Sequence, residues 1–260
     1  MIDLHTHILP GVDDGAASIE ESVELARAAA AEGIVVIVAT PHVREDYPTS
    51  ADTMERLVGE VRQALAAARV QVDLRPGGEI ALDQLGSLSR HELRRFGLGG
   101  NPDLVLVECP YSVWPPSLDA QVVGLLEAGF SVVLAHPERN PDVETRPERL
   151  RMLVDAGVAV QITAASLDGR GDRRARSVAL DLVDRGLAQV LASDTHSARV
   201  RSPGLAAAAA TLGDEVLARW LTRDVPAALL EGRPIPERPI GRTSASRGWR
   251  AFTRRKRATR

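Results

Sequence analysis

The feature that most constrains the fold is the regular alternation of short apolar runs with amphipathic segments. Runs such as "IVVIVAT", "DLVLVE", "SVVLAH" and "VAVQIT" are continuous and rich in β-branched residues, which is typical of parallel strands buried on both faces. The pattern predicts seven strands, near residues 2, 36, 73, 106, 133, 160 and 190. Because segments with helical spacing separate them, the sequence predicts an α/β fold in which the parallel strands form a barrel.

The helices between these strands have recognisable ends. The segment "SIEESVELARAAAAEG" has Ser18 as a predicted N-cap, Glu21 three residues later, and Gly33 as its C-terminal stop. A second helix is predicted over about residues 52–68. After the last strand, "PGLAAAAATLG" and "DEVLARWLTRDVPAALLEG" are predicted to complete the outer helical layer. We therefore expect one domain over residues 1–232.

The segment 233–260 differs in composition from everything before it. It contains ten Lys or Arg residues and a single acid, Glu237, and passes from a Pro-rich stretch into Ser, Gly and Thr. This composition has too little apolar surface to offset the entropy of ordering the chain. We expect a disordered basic tail. Such a tail could contact nucleic acid, acidic lipid or an acidic partner segment, with Trp249 and Phe252 as anchors. We favour a solvated tail without a dedicated partner and expect no nucleic-acid partner.

Composition also excludes several classes of protein. No stretch approaches the roughly 18 apolar residues of a membrane-spanning helix, and no basic region precedes an apolar one at the N-terminus. A cytoplasmic location is expected. The single cysteine, Cys109, excludes an internal disulfide and a cysteine-rich zinc site. A cysteine-based phosphatase would need an arginine six residues further on, where this chain has Pro115, so Cys109 is interpreted as a packing residue.

Histidines and acids follow most of the predicted strands. In a parallel barrel the chemistry gathers at the carboxyl ends of the strands, and His5 and His7, two residues apart on an extended segment, point to the same face. Later strands are followed by His42, Glu79, Glu108, His136 with Arg139, and Asp194 with His196. Of the six histidines, His91 alone lies elsewhere. Imidazole and carboxylate without thiolate favour Mn, Fe or Zn, so the sequence predicts a polynuclear metal centre.

A polynuclear centre indicates hydrolysis of a phosphate ester. Two ions about 3.5–4 Å apart generate hydroxide at neutral pH and bind both ends of an in-line displacement at phosphorus. The non-bridging phosphate oxygens also need cationic donors, and the planar guanidinium group matches them. Arg139 in "HPER" and Arg201 in "SDTHSARVR" are close in sequence to predicted ligands. We therefore expect both arginines to bind phosphate.

With these motifs placed, the chain resembles the polymerase and histidinol phosphatase (PHP) superfamily. The match is carried, in order, by "MIDLHTHILPGVDDGA", "ATPHV", "GGEI", "LVECP", "LAHPERN", "QITAASLDG" and "SDTHSARVRSPGL". Within the superfamily it is most similar to the metal-dependent protein-tyrosine phosphatases of bacterial capsule and exopolysaccharide loci, the CpsB/CapC/YwqE family. The resemblance implies a PHP-type distorted (β/α)7 TIM-like barrel. The sequence departs from the family's pattern at Gly171 and Asp172.

The resemblance also implies three divalent metal ions, Mn in the first place with Fe, Co or Zn as alternatives. The implied ligand sets are His5, His7, Glu79 and Asp194; Glu79, Glu108 and His136; and Asp14, His42 and His196. His42 and His196 are implied to belong to the catalytic set together with Arg139 and Arg201. A metal-bridging hydroxide would attack phosphorus, with the tyrosine phenolate leaving. Asp13 is expected to brace the loop or to point away.

The implied substrate is a phosphotyrosine protein, the tail of a bacterial tyrosine kinase that regulates capsule or exopolysaccharide synthesis. The segment "EESVELARAA" matches the region through which some relatives form rings, so a homo-oligomer is an option. Two alternatives stay open at this point. One is another PHP phosphoesterase, acting on histidinol phosphate or on small phosphodiesters. The other is a metal-dependent binding module without catalytic activity.

Overall fold

The computed structural model describes residues 1–197 and 203–240. Arg201 and residues 241–260 therefore lie outside the described residues. The strands in the described part are β1 (Ile2–Thr6), β2 (Val36–Ala39), β3 (His42–Arg44), β4 (Tyr47–Pro48), β5 (Asp73–Arg75), β6 (Glu79–Ala81), β7 (Leu104–Glu108), β8 (Ser131–Ala135), β9 (Ala159–Thr163) and β10 (Val190–Ala192). Strands occur at all seven predicted places.

The helices pack around these strands. They are α1 (Ile19–Ala31), α2 (Ala51–Ala67), α3 (Arg90–Arg95), α4 (Leu118–Glu127), α5 (Pro141–Thr145), α6 (Glu148–Asp155), α7 (Ala164–Asp168), α8 (Arg173–Asp184), α9 (Leu205–Thr211), α10 (Glu215–Arg219) and α11 (Val225–Leu230). A π-helical turn, Trp220–Asp224, joins α10 to α11. No helix in residues 1–197 or 203–240 is long and apolar enough to cross a membrane.

The strands form two sheets. The larger has the order β10-β9-β8-β7-β6-β3-β4, and only its edge pair β3 and β4 is antiparallel. The smaller is parallel, with the order β1-β2-β5. The predicted α/β class with parallel strands is confirmed. The expected barrel is not confirmed, because the strands of the described residues pair into two sheets and not into one closed sheet.

Prolines account for the division into two sheets. The chain leaves β2 of the smaller sheet and enters β3 of the larger one through Thr40 and Pro41. It passes from β5 to β6 in the same way, through Pro76 and two glycines. Proline has no N–H to contribute to a sheet, so strand pairing is interrupted at Pro41 and at Pro76. The two sheets meet again at β1, where Thr6 bridges to Thr195 beyond β10.

The first helix begins and ends as its sequence predicts. The Ser18 hydroxyl accepts a hydrogen bond from the backbone N–H of Glu21. The Glu21 carboxylate reaches back to the N–H of Ala17, at 2.8 Å. Gly33 after the helix has a φ of +83°, a left-handed conformation that glycine adopts without a steric penalty. The second predicted helix corresponds to α2.

Burial of the central strands is what positions polar groups at their ends. All five residues of β7 and all five of β9 are buried. Their apolar side chains form one core with the surrounding helices. A polar side chain at the end of such a strand is fixed in position by this packing.

The segment that follows α11 contacts the folded domain. The Trp220 indole N–H donates to the carbonyl oxygen of Pro236 at 3.0 Å. Ile235 packs against the core, while Ile240 is exposed. Residues 233–240 of the predicted tail therefore have defined contacts, and the remainder, 241–260, lies outside the described residues.

Candidate metal centre

Nine predicted ligands come together at the carboxyl ends of the strands. They are His5, His7, Asp14, His42, Glu79, Glu108, His136, Asp194 and His196. Eight of them are buried, and Asp14 is exposed. The sixth histidine, His91, is exposed on α3, away from this cluster. Of the two arginines predicted to bind phosphate, Arg139 lies at the cluster and Arg201 is outside the described residues.

Four donor atoms surround one point at the centre of the cluster. The Nε2 atoms of His5 and His7 are 3.2 Å apart. Each lies 3.3–3.4 Å from Oε2 of Glu79 and 3.4 Å from Oδ1 of Asp194. Donor atoms that share one ion at about 2.0–2.2 Å are separated by about 3–3.5 Å. The spacing of these four residues therefore fits a single metal ion.

Hydrogen bonds on the far side of the rings orient the histidines. Nδ1 of His5 donates to Gln161 Oε1 at 3.0 Å, and Nδ1 of His7 donates to Asp13 Oδ2 at 2.8 Å. Because each neutral ring has its proton on Nδ1, both Nε2 lone pairs face the carboxylates of Glu79 and Asp194. Lone pairs that converge on lone pairs repel each other, so this arrangement favours a metal ion or a proton between them.

Glu79 occupies the middle of the cluster. Its Oε1 atom lies 2.7 Å from His136 Nε2, and its Oε2 atom lies 2.9 Å from His42 Nδ1. His42 and Glu79 are also close enough to Glu108 to share an ion with it. Oε2 of Glu79 and Nδ1 of His42 are buried without a hydrogen-bond partner within residues 1–197 and 203–240. Buried polar atoms are normally paired, so these two atoms also fit ligands of a metal ion.

Asp14 completes a third group, with three histidines. Its Oδ1 atom lies 3.2 Å from Nε2 of His196 and 3.6 Å from Nε2 of His42. Nδ1 of His196 donates to the backbone oxygen of Asp194 at 2.9 Å, which again leaves the Nε2 lone pair facing the acid. His7 is also within ligand distance of this group.

The acids and imidazoles of the cluster shift each other's pKa values. Burial alone would raise the pKa of Glu79, but the charge of His5 and the nearby imidazoles of His136 and His42 hold it well below its usual range. Burial likewise opposes the ionisation of Asp194, yet nearby cationic groups, His5 first among them, lower its pKa strongly. The cluster therefore keeps its carboxylates charged.

The pKa of the imidazole of His7 shifts in the opposite direction. Burial disfavours protonation of His7, but hydrogen bonds to Asp13, Asp194 and Glu79 outweigh it and raise the pKa of His7 well above its ordinary value. In the absence of a metal ion, protons on these rings balance the buried negative charge. A divalent cation can replace them.

Two candidate ligands have strained backbone. His136 and Asp194 have φ values of +37° and +51°, in the left-handed region that residues with a Cβ seldom adopt. Such strain persists only where the surrounding structure imposes it, and it is concentrated at functional sites. At both positions it turns a side chain toward the cluster at the end of a buried strand.

Arg139 lies in a 3-10 turn after β8, beside the cluster. Its Nη2 atom is 2.8 Å from Oδ2 of Asp194, and its Nη1 atom donates to the Tyr111 hydroxyl at 3.1 Å. Burial would lower the pKa of Arg139, but the charge of Asp194 raises it, so the guanidinium stays protonated. The residue presents a fixed positive charge next to the candidate ligands.

Sequence reasoning missed several residues of the site. Gln161 is the polar position in the apolar run "VAVQIT", a signal that was available. Tyr111, whose ring stacks on His136, had no signal. Arg44 pairs with Glu108 at 3.4 Å and was also missed. Asp13 was expected to brace the loop, and its Oδ1 atom accepts from the Gly15 N–H at 2.9 Å.

Fold and site together define an α/β protein with a candidate metal centre of histidines and carboxylates at the carboxyl ends of parallel strands. The family described as "Capsular polysaccharide synthesis, CpsB/CapC" matches residues 1–230. The chain belongs to this family, which confirms the family expected from the sequence.

The relatives are similar over most of their length. The chain is 34% identical over 204 residues to the tyrosine-protein phosphatase YwqE of Bacillus subtilis, covering 78% of this chain and 80% of that protein. It is 27% identical over 214 residues to the tyrosine-protein phosphatase CpsB of Streptococcus agalactiae, covering 80% of this chain and 88% of that protein. A crystal structure from a study of YwqE and of Streptococcus pneumoniae CpsB, described there as metal-dependent tyrosine phosphatases, superposes with a TM-score of 0.81. It has 30% sequence identity and covers 92% of this chain and 98% of that chain.

Replacing Asp13 with alanine is expected to lower metal affinity by about 10- to 100-fold, the usual effect of losing a group that orients a ligand. Asp13 fixes the ring of His7 and also accepts from the backbone N–H of His42 at 3.1 Å. Titration of metal-stripped protein with Mn²⁺ would measure the change. Asp83→Ala is the matched control, because Asp83 is an exposed acid near the same face. Equal affinity in wild type and D13A would contradict the expectation.

Proposed function

We propose that the protein is a metal-dependent protein-tyrosine phosphatase that hydrolyses phosphotyrosine in proteins. One observation carries the proposal: His5, His7, His42 and His136 all converge on the buried carboxylate of Glu79. The names of the relatives supply the substrate class.

We assign the nine residues to three ions as follows. His5, His7, Glu79 and Asp194 hold the first ion; Glu79, Glu108 and His136 hold the second; and Asp14, His42 and His196 hold the third. Ions at these places would supply Lewis acidity and would lower the pKa of water, and Mn²⁺ is the metal we propose. The chain orients its imidazoles and keeps its acids ionised. The hydrogen bonds from Nδ1 of His5 and His7 fix the tautomer that leaves each Nε2 atom available to a metal.

Arg139 binds the phosphoryl group in this proposal. A guanidinium fork matches two phosphate oxygens, and the hydrogen bond to Tyr111 restricts its orientation. We assign the same role to Arg201 from its place in the sequence. The phenolate of tyrosine, with a pKa of about 10, leaves with less need of a general acid than an alkoxide would.

Several finer features belong to the same proposal. We infer that the two sheets together constitute the distorted seven-unit barrel expected for PHP proteins. We also propose a cytoplasmic protein that acts on the tail of a bacterial tyrosine kinase in capsule or exopolysaccharide regulation, and that assembles as a homo-oligomer. The description of the family supports the capsule role.

A cysteine-based mechanism has no support in the described residues. Cys109 is buried, and burial together with the nearby acids Glu138 and Glu108 raises the pKa of its thiol far above the usual range. A thiolate nucleophile needs a depressed pKa.

The decisive experiment measures hydrolysis of p-nitrophenyl phosphate and of a phosphotyrosine peptide. Protein stripped by a chelator is expected to be inactive and to recover with Mn²⁺, while His136→Ala stays inactive at every metal concentration tested. Histidinol phosphate serves as the competing substrate. Faster turnover of histidinol phosphate than of the peptide would favour the other PHP phosphoesterases, and no turnover of any phosphoester at full metal occupancy would refute the proposal.

A further inference from the structure

Both tyrosines of the chain stack on candidate metal ligands. The sequence contains only Tyr47 and Tyr111. The Tyr111 ring lies parallel to that of His136, with centroids 5.1 Å apart and an interplanar angle of 10°. The Tyr47 ring is stacked on His42 at 5.7 Å and 15°. An aromatic side chain is therefore present on two sides of the centre.

Tyr111 is also tied to the residue proposed to bind phosphate. Its hydroxyl accepts from Nη1 of Arg139 at 3.1 Å, and the guanidinium carbon lies 5.8 Å from the ring centroid. The same guanidinium contacts Asp194. His136 and Arg139 thus hold the ring from two directions, which places it beside the position of the phosphoryl group.

The rest of the Tyr111 side chain faces an open cleft. The residue is 47% exposed, although two contacts fix its orientation. It lines a cleft of about 980 Å³ that extends to the candidate ligand Glu108 and is bordered by Arg44 and Pro115. Tyr47 is not among the residues that line this cleft. Tyr111 therefore presents an aromatic surface to a bound molecule next to the metal centre, and Tyr47 does not.

We propose that Tyr111 determines specificity for aryl over alkyl phosphoesters, because its ring stacks on the aromatic ring of the substrate while Arg139 binds the phosphate. Aromatic rings attract each other in offset-stacked or edge-to-face arrangements beyond the effect of area burial. An alkyl ester such as phosphoserine offers no ring for this contact. The inference rests on the proposed function, and it adds the residue that selects the substrate class.

The test measures binding and not hydrolysis, because aryl and alkyl esters have different leaving groups and would differ in hydrolysis rate for that reason alone. Calorimetry on Mn²⁺-loaded protein would give dissociation constants for benzylphosphonate and for ethylphosphonate. We expect the wild type to prefer the benzyl compound. Tyr111→Leu should reduce this preference by about three- to tenfold, the usual worth of one aromatic pair. Tyr111→Phe should keep the preference, while both compounds bind more weakly because Arg139 loses its partner.

Tyr47→Leu is the matched control. It removes the other tyrosine stacked on a candidate ligand, and Tyr47 does not itself line the cleft, so the preference should stay at the wild-type value. Thermal unfolding would verify that the half-exposed Tyr111 can be replaced without loss of the fold. An unchanged preference in Tyr111→Leu would overturn the inference, as would an equal loss in Tyr111→Phe or in Tyr47→Leu.

The same proteins keep the two proposals distinguishable. A wild type that shows the ring preference but hydrolyses no phosphotyrosine peptide would contradict the proposed function alone. A wild type that hydrolyses the peptide but binds the two phosphonates with equal affinity would contradict the role of Tyr111 alone.

Discussion

Replacing Glu79 with glutamine is expected to lower phosphatase turnover by about 1000-fold or more, and to lower the number of ions bound. Glu79 is fully buried, and its two oxygens face His136 at 2.7 Å and His42 at 2.9 Å. The amide replaces one ligand oxygen with an NH2 group that donates hydrogen bonds and cannot bind a metal. The loss of several kcal/mol of transition-state stabilisation by metal ions corresponds to about this change in rate. Elemental analysis of dialysed protein and kcat/KM at saturating Mn²⁺ would measure both effects.

Glu138→Gln provides the matched control. Glu138 is also a fully buried acid near the ends of the strands, but its Oε1 atom accepts hydrogen bonds from Thr163 and Ser166. Its replacement changes the same chemical group at the same depth. The metal content should stay at the wild-type value, whatever the cost in stability. If Glu79→Gln bound as much metal as Glu138→Gln and kept its turnover, Glu79 would not be a ligand.

The regular part of the fold was predictable because its signals are local. Ser18 and Gly33 mark the ends of α1, and the β-branched runs mark β7, β8 and β9. The division into two sheets was missed, although Pro41 and Pro76 stand in the sequence. A proline interrupts a sheet only where its N–H would have bonded to a neighbouring strand. Which strands are neighbours depends on the tertiary structure and cannot be read from the local sequence.

The candidate site was predictable for a different reason. The end of a buried strand is both a sequence position and a place in space, so residues that follow such strands can be gathered on one face from the sequence alone. The supporting contacts do not follow that rule. Gln161 acts through its partner His5, and Tyr111 through His136 and Arg139, so their roles emerge only from distances.

Removal of the metal is expected to make the protein less stable as the pH rises from 6 to 8. In the metal-free cluster the pKa values of His5 and His7 are raised above the ordinary value of 6.5. A raised pKa contributes stability that is fully present below pH 6.5 and is lost as the pH rises through the folded-state value. The pKa of His196 is lowered by burial, which acts in the opposite sense, but two raised groups stand against this one.

The buried acids determine how the stability of the stripped protein changes at low pH. The pKa values of Glu79 and Asp194 are lowered, so their contribution is present above their ordinary values of 4.5 and 3.8 and is lost as the pH falls further. Burial raises the pKa of Asp3 to about 6 and also raises that of Glu108, which acts in the opposite sense. The strongly lowered values of Glu79 and Asp194 outweigh these shifts, so the stripped protein should lose stability as the pH falls below about 4.5. Metal ions need neutral imidazoles as ligands, so the stabilisation by Mn²⁺ should grow over the range in which the stripped protein weakens.

Thermal unfolding of stripped and Mn²⁺-loaded protein between pH 5.5 and 8.5 would test this dependence. The difference in Tm between the two forms is expected to increase steadily with pH. His7→Gln should flatten the profile of the stripped protein, because it removes the imidazole whose pKa is raised most strongly by the acids. His91→Gln is the matched control, since His91 is exposed on α3 and its loss should leave the profile unchanged. Stripped protein that gained stability between pH 6 and 8 would show that protons on the histidines do not balance the charge of the buried carboxylates. That result would contradict the electrostatic argument for a cation at this centre.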